Sequence, residues 1–139
     1  MKKIFAASIV AALMAGGAHA GDPAEGARVF DSRCKTCHAI TDASGNDIVR
    51  GGRTGPNLYG VVGRAKGGDE GFARYGDALK QLGAQGVAWT EESIAEYVAD
   101  PRAYLESQLG GRARSNMAYK LPDATARADV AAYLASVAQ

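Results

Sequence analysis

Cys34-Lys35-Thr36-Cys37-His38 is the stretch of sequence from which the fold of the whole chain can be argued. It contains both cysteines of the chain. A disulfide between Cys34 and Cys37 would close too small a loop to stabilise a fold. A catalytic C-x-x-C disulfide would be surrounded by a βαβ pattern, which is missing here. Structural zinc takes four ligands, whereas Cys34, Cys37 and His38 supply only three. These kinds of site are therefore disfavoured.

The same residues form a C-x-x-C-H pattern, which predicts the covalent attachment of one haem c. Two thiols three positions apart can add to the two vinyl groups on neighbouring haem rings. The imidazole of His38, the next residue, then lies beneath the ring and is predicted to ligate the iron. An export signal at the N-terminus supports this interpretation, because haem of this type is attached outside the cytoplasm.

Met117 is predicted to ligate the iron from the other side. Outside the predicted signal peptide, His38 is the only histidine and Met117 the only methionine. A lone methionine is usually core filler, but Met117 lies in a polar segment, residues 112–120, outside any apolar stripe. A thioether favours Fe(II), so His/Met ligation raises the reduction potential and suits an electron carrier.

Residues 1–20 have the composition of a cleaved export signal. Two lysines precede an apolar run, residues 4–15, and Ala18-His19-Ala20 offers small residues on both sides of a cleavage site. A membrane anchor is less favoured, because the run is shorter than the ~20 residues that a span needs. We therefore expect a periplasmic protein with one domain, residues 21–139.

The charge of the chain limits its partners. Sixteen Lys and Arg residues nearly balance fifteen Asp and Glu residues. This balance argues against a nucleic-acid-binding protein and against a polybasic membrane patch. We expect a monomer that does not insert stably into a membrane.

The chain pattern predicts an all-α fold of about four to five helices and glycine-rich loops, wrapped around one covalent haem. No strand-like alternation of any length is present. Asp22 is placed to cap the first helix, with Glu25 completing a capping-box-like pattern. A long loop is predicted over residues 41–71, which is unusual in a compact domain unless the loop wraps something. The predicted helices cover residues 23–33, 77–82, 91–100, 101–109 and 124–138.

Several short motifs, in this order, carry a family resemblance. They are Gly26-x-x-x-Phe30, Cys34–His38, Thr54–Arg64, Ala88-Trp89, Tyr97 with Pro101, Met117–Leu121 and Ala132–Leu134. Over residues 21–139 the chain resembles the class I c-type cytochromes, and among them the bacterial cytochromes c2.

The resemblance implies a role for individual residues. Pro56 matches the proline whose carbonyl accepts a hydrogen bond from the axial histidine. Tyr97 matches the tyrosine beside the methionine sulfur. The residues that match donors to the haem propionates are Arg64, Tyr75, Trp89 and Ser115. Gly26, Phe30 and Tyr133 match the contact between the first and last helices. Without the resemblance, Trp89 and Tyr97 would be read as core aromatics and Arg64 as a surface charge.

The function implied is that of a single-electron carrier rather than an enzyme. Two strong ligands keep the iron six-coordinate, so no substrate can bind without displacing one. A haem enzyme or gas-binding cytochrome with an open iron site is the alternative. By resemblance, the electron donor would be a cytochrome bc1 complex. The acceptor would be a photosynthetic reaction centre, a terminal oxidase or a reductase.

The position of charges in the sequence predicts an electrostatic docking face at the haem edge. The bases expected there are Arg33, Lys35, Arg50, Arg53, Arg112, Arg114 and Lys120. The acids expected on the far side are Glu91, Glu92, Glu96, Asp100 and Glu106. Such a charge separation would steer an acidic partner to the haem edge.

Overall fold

The computed structural model of the chain describes residues 20–138, and within them the chain forms five α-helices and one small sheet. The predicted signal peptide lies outside the described residues, apart from Ala20. The elements are α1 (Pro23–Val29), a π-helical turn (Phe30–Cys34), β1 (Ile40–Thr41), β2 (Asp47–Val49), α2 (Asp77–Ala84), α3 (Glu91–Ala99), α4 (Pro101–Leu109) and α5 (Ala124–Ser136). The predicted all-α class is confirmed. No helix among residues 20–138 is long and apolar enough to cross a bilayer.

Asp22, at the start of α1, both caps this helix and binds a residue of α5. The Asp22 carboxylate accepts hydrogen bonds from the backbone N–H groups of Ala24 at 2.8 Å and Glu25 at 3.5 Å, so the predicted cap is confirmed. The predicted capping box is wrong. The Asp22 N–H donates to the buried Asp129 carboxylate at 2.7 Å, and the Glu25 carboxylate pairs with Arg28.

The crossing of α1 and α5 is close because Gly26 carries no side chain. A Cβ added at Gly26 would lie 2.0 Å from the Asp129 carbonyl oxygen and 2.7 Å from Tyr133 Cβ. The rings of Phe30 and Tyr133 lie beside this crossing, with centroids 5.9 Å apart. The contact implied by the resemblance is therefore confirmed, and it fixes the helix that leads into the cysteines.

The segment after His38 contains a small sheet that the sequence did not predict. β1 and β2 pair in antiparallel register, with Ile40 opposite Val49, and enclose a turn in which the Asp42 carboxylate accepts from two backbone N–H groups. The strands are two and three residues long, too short for alternation to be visible in the sequence. The rest of the predicted loop is irregular in the structure.

Helix α2 runs two residues beyond its predicted end at residue 82. Gly83, the residue after that predicted end, lies inside the helix, and an added Cβ there would meet the Lys66 carbonyl oxygen at 2.0 Å. The residue with the left-handed backbone is Gly86, at φ +78°. Gly83 therefore allows a close approach, whereas Gly86 ends the turn.

Helices α3 and α4 begin and end at capping residues, whereas α5 ends at Ser136, two residues before its predicted end at residue 138. Thr90 and Ser93 form a capping box at α3, Asp100 caps α4, and Gly110 ends α4 at φ +70°. Val130 and Leu134 of α5 are buried, and Tyr133 and Val137 are partly buried. The core residues Trp89, Tyr97 and Tyr104 form an aromatic cluster.

Candidate haem site

The His38 side chain is oriented by one backbone carbonyl. Its Nδ1 lies 2.8 Å from the Pro56 carbonyl oxygen, an acceptor, so Nδ1 carries the proton and donates. The lone pair of Nε2 is then the one available to a metal. Burial, chiefly, lowers the pKa of His38, which keeps the imidazole in the neutral form that a metal ligand requires.

Segment 51–56 is pressed against the attachment motif, and glycines make this possible. A Cβ added at Gly55 would lie 2.3 Å from His38 Cε1, and one added at Gly52 would lie 2.0 Å from the Thr36 carbonyl oxygen. Gly52 N–H donates to the Lys35 carbonyl at 2.7 Å, and Gly55 N–H to the Cys37 carbonyl at 2.8 Å. Sequence reasoning missed Gly51 and Gly52, because a close approach between segments leaves no local signal.

The two cysteines do not form a disulfide in the structure. Cys37 is exposed, and Cys34 is half-buried at the end of the π-helical turn. Burial, followed by the neighbouring Cys37, raises the pKa of the Cys34 thiol to about 11. Redox-active C-x-x-C pairs have lowered thiol pKa values instead, so a thioredoxin-like role does not fit.

The loop that carries Met117, residues 112–120, is termed the Met117 loop and is held by side-chain hydrogen bonds. The Ser115 hydroxyl donates to the Met117 carbonyl at 2.8 Å and accepts from the Met117 N–H at 3.2 Å. Tyr97 Oη lies 3.3 Å from the same Ser115 oxygen. Because the one Ser115 proton goes to the Met117 carbonyl, Tyr97 is the donor to Ser115. In the structure, Tyr97 thus binds Ser115, and Ser115 binds the Met117 backbone.

A second pair of contacts joins the Met117 loop to the His38 side. The Asn116 side-chain amide donates to the Arg74 carbonyl at 3.0 Å, and the Arg74 guanidinium donates to the Arg53 carbonyl. Arg53 lies three residues before Pro56 in the chain. Sequence reasoning did not single out Asn116 or Arg74, and no local pattern marks them.

Arg64 carries an unsatisfied buried donor. Its terminal nitrogens donate to the Tyr59 carbonyl at 3.3 Å and the Asn57 carbonyl at 2.9 Å. Among residues 20–138, Arg64 Nε is the buried side-chain atom that lacks a hydrogen-bond partner. A buried guanidinium N–H without an acceptor is costly, and a carboxylate would satisfy it.

Two more of the predicted propionate donors lie near Arg64. Tyr75 is close enough that Arg64 lowers its pKa, although burial raises the pKa more strongly. The Trp89 N–H of the backbone donates to the Arg64 carbonyl at 2.9 Å. The structure therefore brings Arg64, Tyr75 and Trp89 together, while it directs Ser115 to the Met117 loop.

These residues fit a covalent haem. They comprise two thiols, an imidazole with its Nε2 available, a thioether, and a buried cation that needs an anion. Within the described part of the chain, no group of three or more His, Cys, Asp or Glu side chains could hold a metal ion by itself.

The predicted separation of charges is wrong at Asp100. The Asp100 carboxylate accepts from Lys120 Nζ at 2.7 Å and borders, with Met117, a surface cavity of about 720 Å³. The sequence placed Asp100 on the far side, but the Leu121 N–H donates to the Val98 carbonyl and brings the end of α3 against the Met117 loop. Two other expected bases also have acidic partners, Lys35 with Asp31 and Arg50 with Asp47.

Comparison with known proteins identifies the family. The Cytochrome c family model matches residues 23–138. A cytochrome c2 of Rhodobacter capsulatus is 52% identical over 95% of this chain and 94% of its own length. A cytochrome c-550 of Paracoccus pantotrophus is 44% identical over 83% of this chain and 85% of its own length.

Solved structures agree with this result. The structure of cytochrome c2 isolated from Rhodobacter capsulatus has a TM-score of 0.80 at 52% identity, covering 84% of this chain and 98% of that one. Cytochrome c2 from Rhodobacter sphaeroides has a TM-score of 0.81 at 45% identity, covering 85% and 97%. The chain therefore belongs to the cytochrome c family, and it is an electron carrier with one covalent haem c rather than an enzyme or a gas sensor.

Proposed function

We propose that this carrier binds its haem through thioether bonds at Cys34 and Cys37 and ligates the iron with His38 and Met117. The observation that supports this assignment most strongly is the 2.8 Å contact between His38 Nδ1 and the Pro56 carbonyl. It selects the tautomer with a free Nε2 lone pair and holds the ring in one orientation. When bound, the haem supplies the one-electron couple between Fe(III) and Fe(II).

The chain's own residues set the conditions for that couple. The Pro56 carbonyl raises the basicity of His38. Ser115 and Tyr97 hold the Met117 backbone, so the thioether can remain in place in both oxidation states. We propose that Arg64, Tyr75 and Trp89 bind the haem propionates, with Arg64 Nε as the charged donor that needs an acceptor. Ser115 is the less favoured of the predicted propionate donors, because its only proton is used by the Met117 carbonyl.

We further propose that residues 1–20 are removed on export and that the mature domain, residues 21–139, works in the periplasm as a monomer. The apolar run and the small residues before Gly21 support cleavage. A cytochrome bc1 complex is proposed as the electron donor. A reaction centre, terminal oxidase or reductase is proposed as the acceptor, in line with the cytochromes c2 among the relatives.

The docking face is proposed at the Met117 loop. Arg112 and Arg114 are exposed there, and none of the ion pairs among residues 20–138 involves either of them. Their charge is therefore available to an acidic partner, unlike that of Lys120, which Asp100 partly neutralises.

One experiment tests the attachment and the ligands together. The protein purified from the periplasm should retain its haem through acid–acetone extraction. Its mass should equal the chain from Gly21 plus one haem, and the oxidised form should show the weak far-red band of sulfur-to-iron charge transfer. Extractable haem would contradict the thioether assignment, and a missing band at neutral pH would contradict Met117.

A second experiment tests the docking face. Second-order electron transfer to an acidic membrane partner should slow as salt rises, because the screening length shortens to ~10 Å at 0.1 M. Arg112→Glu should slow transfer at low salt more than Lys120→Glu does. Equal slowing in the control Glu91→Lys would show that the face has been misplaced.

A further inference from the structure

Lys66 is buried in a way that neither the ligands nor the docking face explains. It is 2% exposed, whereas Lys35, Lys80 and Lys120 have exposed side chains. The only other polar or charged residue of this burial class among residues 20–138 is Asp129, which accepts a hydrogen bond from the Asp22 N–H. Burying an ammonium group is costly unless its surroundings stabilise the charge.

The surroundings of the Lys66 ammonium are specific. Nζ donates to the Ala88 carbonyl at 3.0 Å and lies 4.0 Å from the centroid of the Trp89 ring. The Tyr104 ring centroid is 5.7 Å away. A cation over the face of an indole is attracted by the ring's quadrupole, most strongly where water is excluded. The Lys66 ammonium therefore contacts the ring face of Trp89, the residue that is proposed to bind a haem propionate.

The backbone brings Lys66 and the propionate-binding residues into one unit. Gly63 N–H donates to the Trp89 carbonyl, Trp89 N–H to the Arg64 carbonyl, and Lys66 N–H to the Val87 carbonyl, at 2.7, 2.9 and 2.9 Å. An isolated bridge pairs Ala65 with Ala88. The segment that carries Arg64 is thus bonded to the segment that carries Trp89, and the Lys66 ammonium lies over the indole ring.

We infer that Lys66 is a positioning residue for this unit: its ammonium holds the Trp89 ring in place, and its positive charge raises the reduction potential of the carrier. The inference rests on the proposed contact between Trp89 and the haem. A positive charge inside the protein favours the state that has gained an electron, and the low dielectric of the interior extends its reach.

The charges around Lys66 are compatible with this role. Burial lowers the pKa of Lys66 from its ordinary 10.5, and the Glu96 carboxylate opposes the change. Glu96 is exposed on α3, where water screens it, whereas the ammonium is not exposed. The Trp89 ring also meets Tyr97 edge-on, with centroids 5.0 Å apart, so its orientation is coupled to the residue that holds the Met117 loop.

Three substitutions of Lys66 in the holoprotein separate charge from packing. Lys66→Met removes the charge and keeps the apolar stem, Lys66→Gln also keeps a donor for the Ala88 carbonyl, and Lys66→Arg keeps the charge. We expect Met and Gln to lower the equilibrium constant for reduction by about threefold. That change is about 30 mV at 59 mV per tenfold. Lys66→Arg should retain most of the wild-type reduction potential.

The control is Lys80→Met, which changes the net charge equally at an exposed lysine paired with Asp77. It should leave the potential unchanged. The near-UV circular dichroism of Trp89 and the chemical shift of its indole N–H report ring orientation, and both should change in Lys66→Met but not in Lys80→Met.

Equal potentials in the wild type and Lys66→Met would overturn the inference, and so would a wild-type potential in Lys66→Gln. If Lys66→Met does not fold, the comparison of Gln with Arg decides in the same way. Failure of the proposed function is distinguishable, because it would appear in the wild type itself as a missing sulfur-to-iron band.

Discussion

The two sides of the haem site are held by different kinds of contact. On the His38 side, segment 51–56 is bonded to the attachment motif backbone to backbone, with no space for an added Cβ at Gly55. On the Met117 side, the loop is held by the side chains of Ser115, Asn116 and Tyr97. The two sides also differ in packing at glycine, because an added Cβ at Gly111, on the Met117 side, would meet nothing within 4 Å.

The difference indicates which ligand is easier to lose. Backbone contacts reinforced by close packing are removed only by moving whole segments, since packed interiors leave little free volume. Contacts made by single hydroxyl or amide groups each contribute about 1 kcal/mol net. We therefore expect the Met117 side to open locally while the His38 side remains folded.

The largest expected effect is the loss of one ligand without the loss of the fold. Met117→Ala should abolish the sulfur-to-iron band, lower the potential and let carbon monoxide bind the ferrous form, with helical circular dichroism unchanged. His38→Ala should instead prevent formation of a folded holoprotein, because the Pro56 contact and the packing on Gly55 are lost together. Similar folding yields for the two variants would contradict the comparison.

The next effect is steric and should be confined to the His38 side. Gly55→Ala places a methyl group 2.3 Å from His38 Cε1 and is expected to cost about 1–3 kcal/mol in unfolding free energy, as overpacking does. Gly111→Ala, where an added Cβ meets nothing within 4 Å, is the matched control. Denaturant unfolding of both holoproteins measures the difference. Equal midpoints would show that segment 51–56 can move away.

A smaller effect is expected from single hydroxyl groups on the Met117 side. Tyr97→Phe removes the donor to Ser115 and should cost about 1 kcal/mol. Ligand exchange by imidazole, followed through the sulfur-to-iron band, should become easier, and Ser115→Ala should act in the same direction. Tyr104→Phe tests specificity, because the Tyr104 ring contacts Trp89 and Tyr97 while its hydroxyl pairs with Ser93 rather than Ser115. If ligand exchange by imidazole is unchanged in Tyr97→Phe, the Tyr97 hydroxyl does not stabilise the Met117 loop and the residue contributes only packing.

The smallest effect concerns acid stability. The Lys120 ammonium holds the pKa of Asp100 below its usual 3.8, and backbone and side-chain bonds from Asn46 do the same for Asp42. A lowered carboxylate pKa adds stability above the unfolded value and loses it as the pH falls through the folded value. Stability should therefore decline below about pH 4 for both groups.

The dependence on salt concentration distinguishes the contribution of Asp100 to acid stability from that of Asp42. The Lys120–Asp100 pair is exposed and screened, whereas the Asp42 turn depends on bonds within five residues. Asp100→Asn keeps an N-cap for α4 and removes only the charge. It should reduce the acid sensitivity seen at low salt and change little at high salt. A salt-independent response in Asp100→Asn would contradict the ion-pair account.

Several features of the fold and site could be predicted because their causes are local. Asp22, Thr90 and Gly110 lie within one turn of the ends that they cap, so their roles are visible in the sequence. The assignments of His38, Cys34, Cys37 and Met117 as haem ligands or attachment points follow from spacing and scarcity, and they stay predictions for the experiments above.

Other features could not be predicted because they join residues that are distant in the chain. Asp129 lies 107 positions from Asp22, whose N–H it binds. Lys120 and Asp100 pair across 20 positions, which reversed the expected location of an acid. Lys66 reaches Ala88 across 22 positions. No local pattern distinguishes such a lysine from a solvated one.

The sequence by itself determined the family, the cofactor, several cap residues and the helix order. Each of these depends on residue type and short spacing, which folding does not change. Tertiary structure decided which carboxylate faces Lys120, which glycines admit a neighbouring backbone, and which lysine is buried behind Trp89. The physical reason is that burial and electrostatic pairing depend on distance in space, and only the packing of α3, α5 and the loops against one another sets that distance.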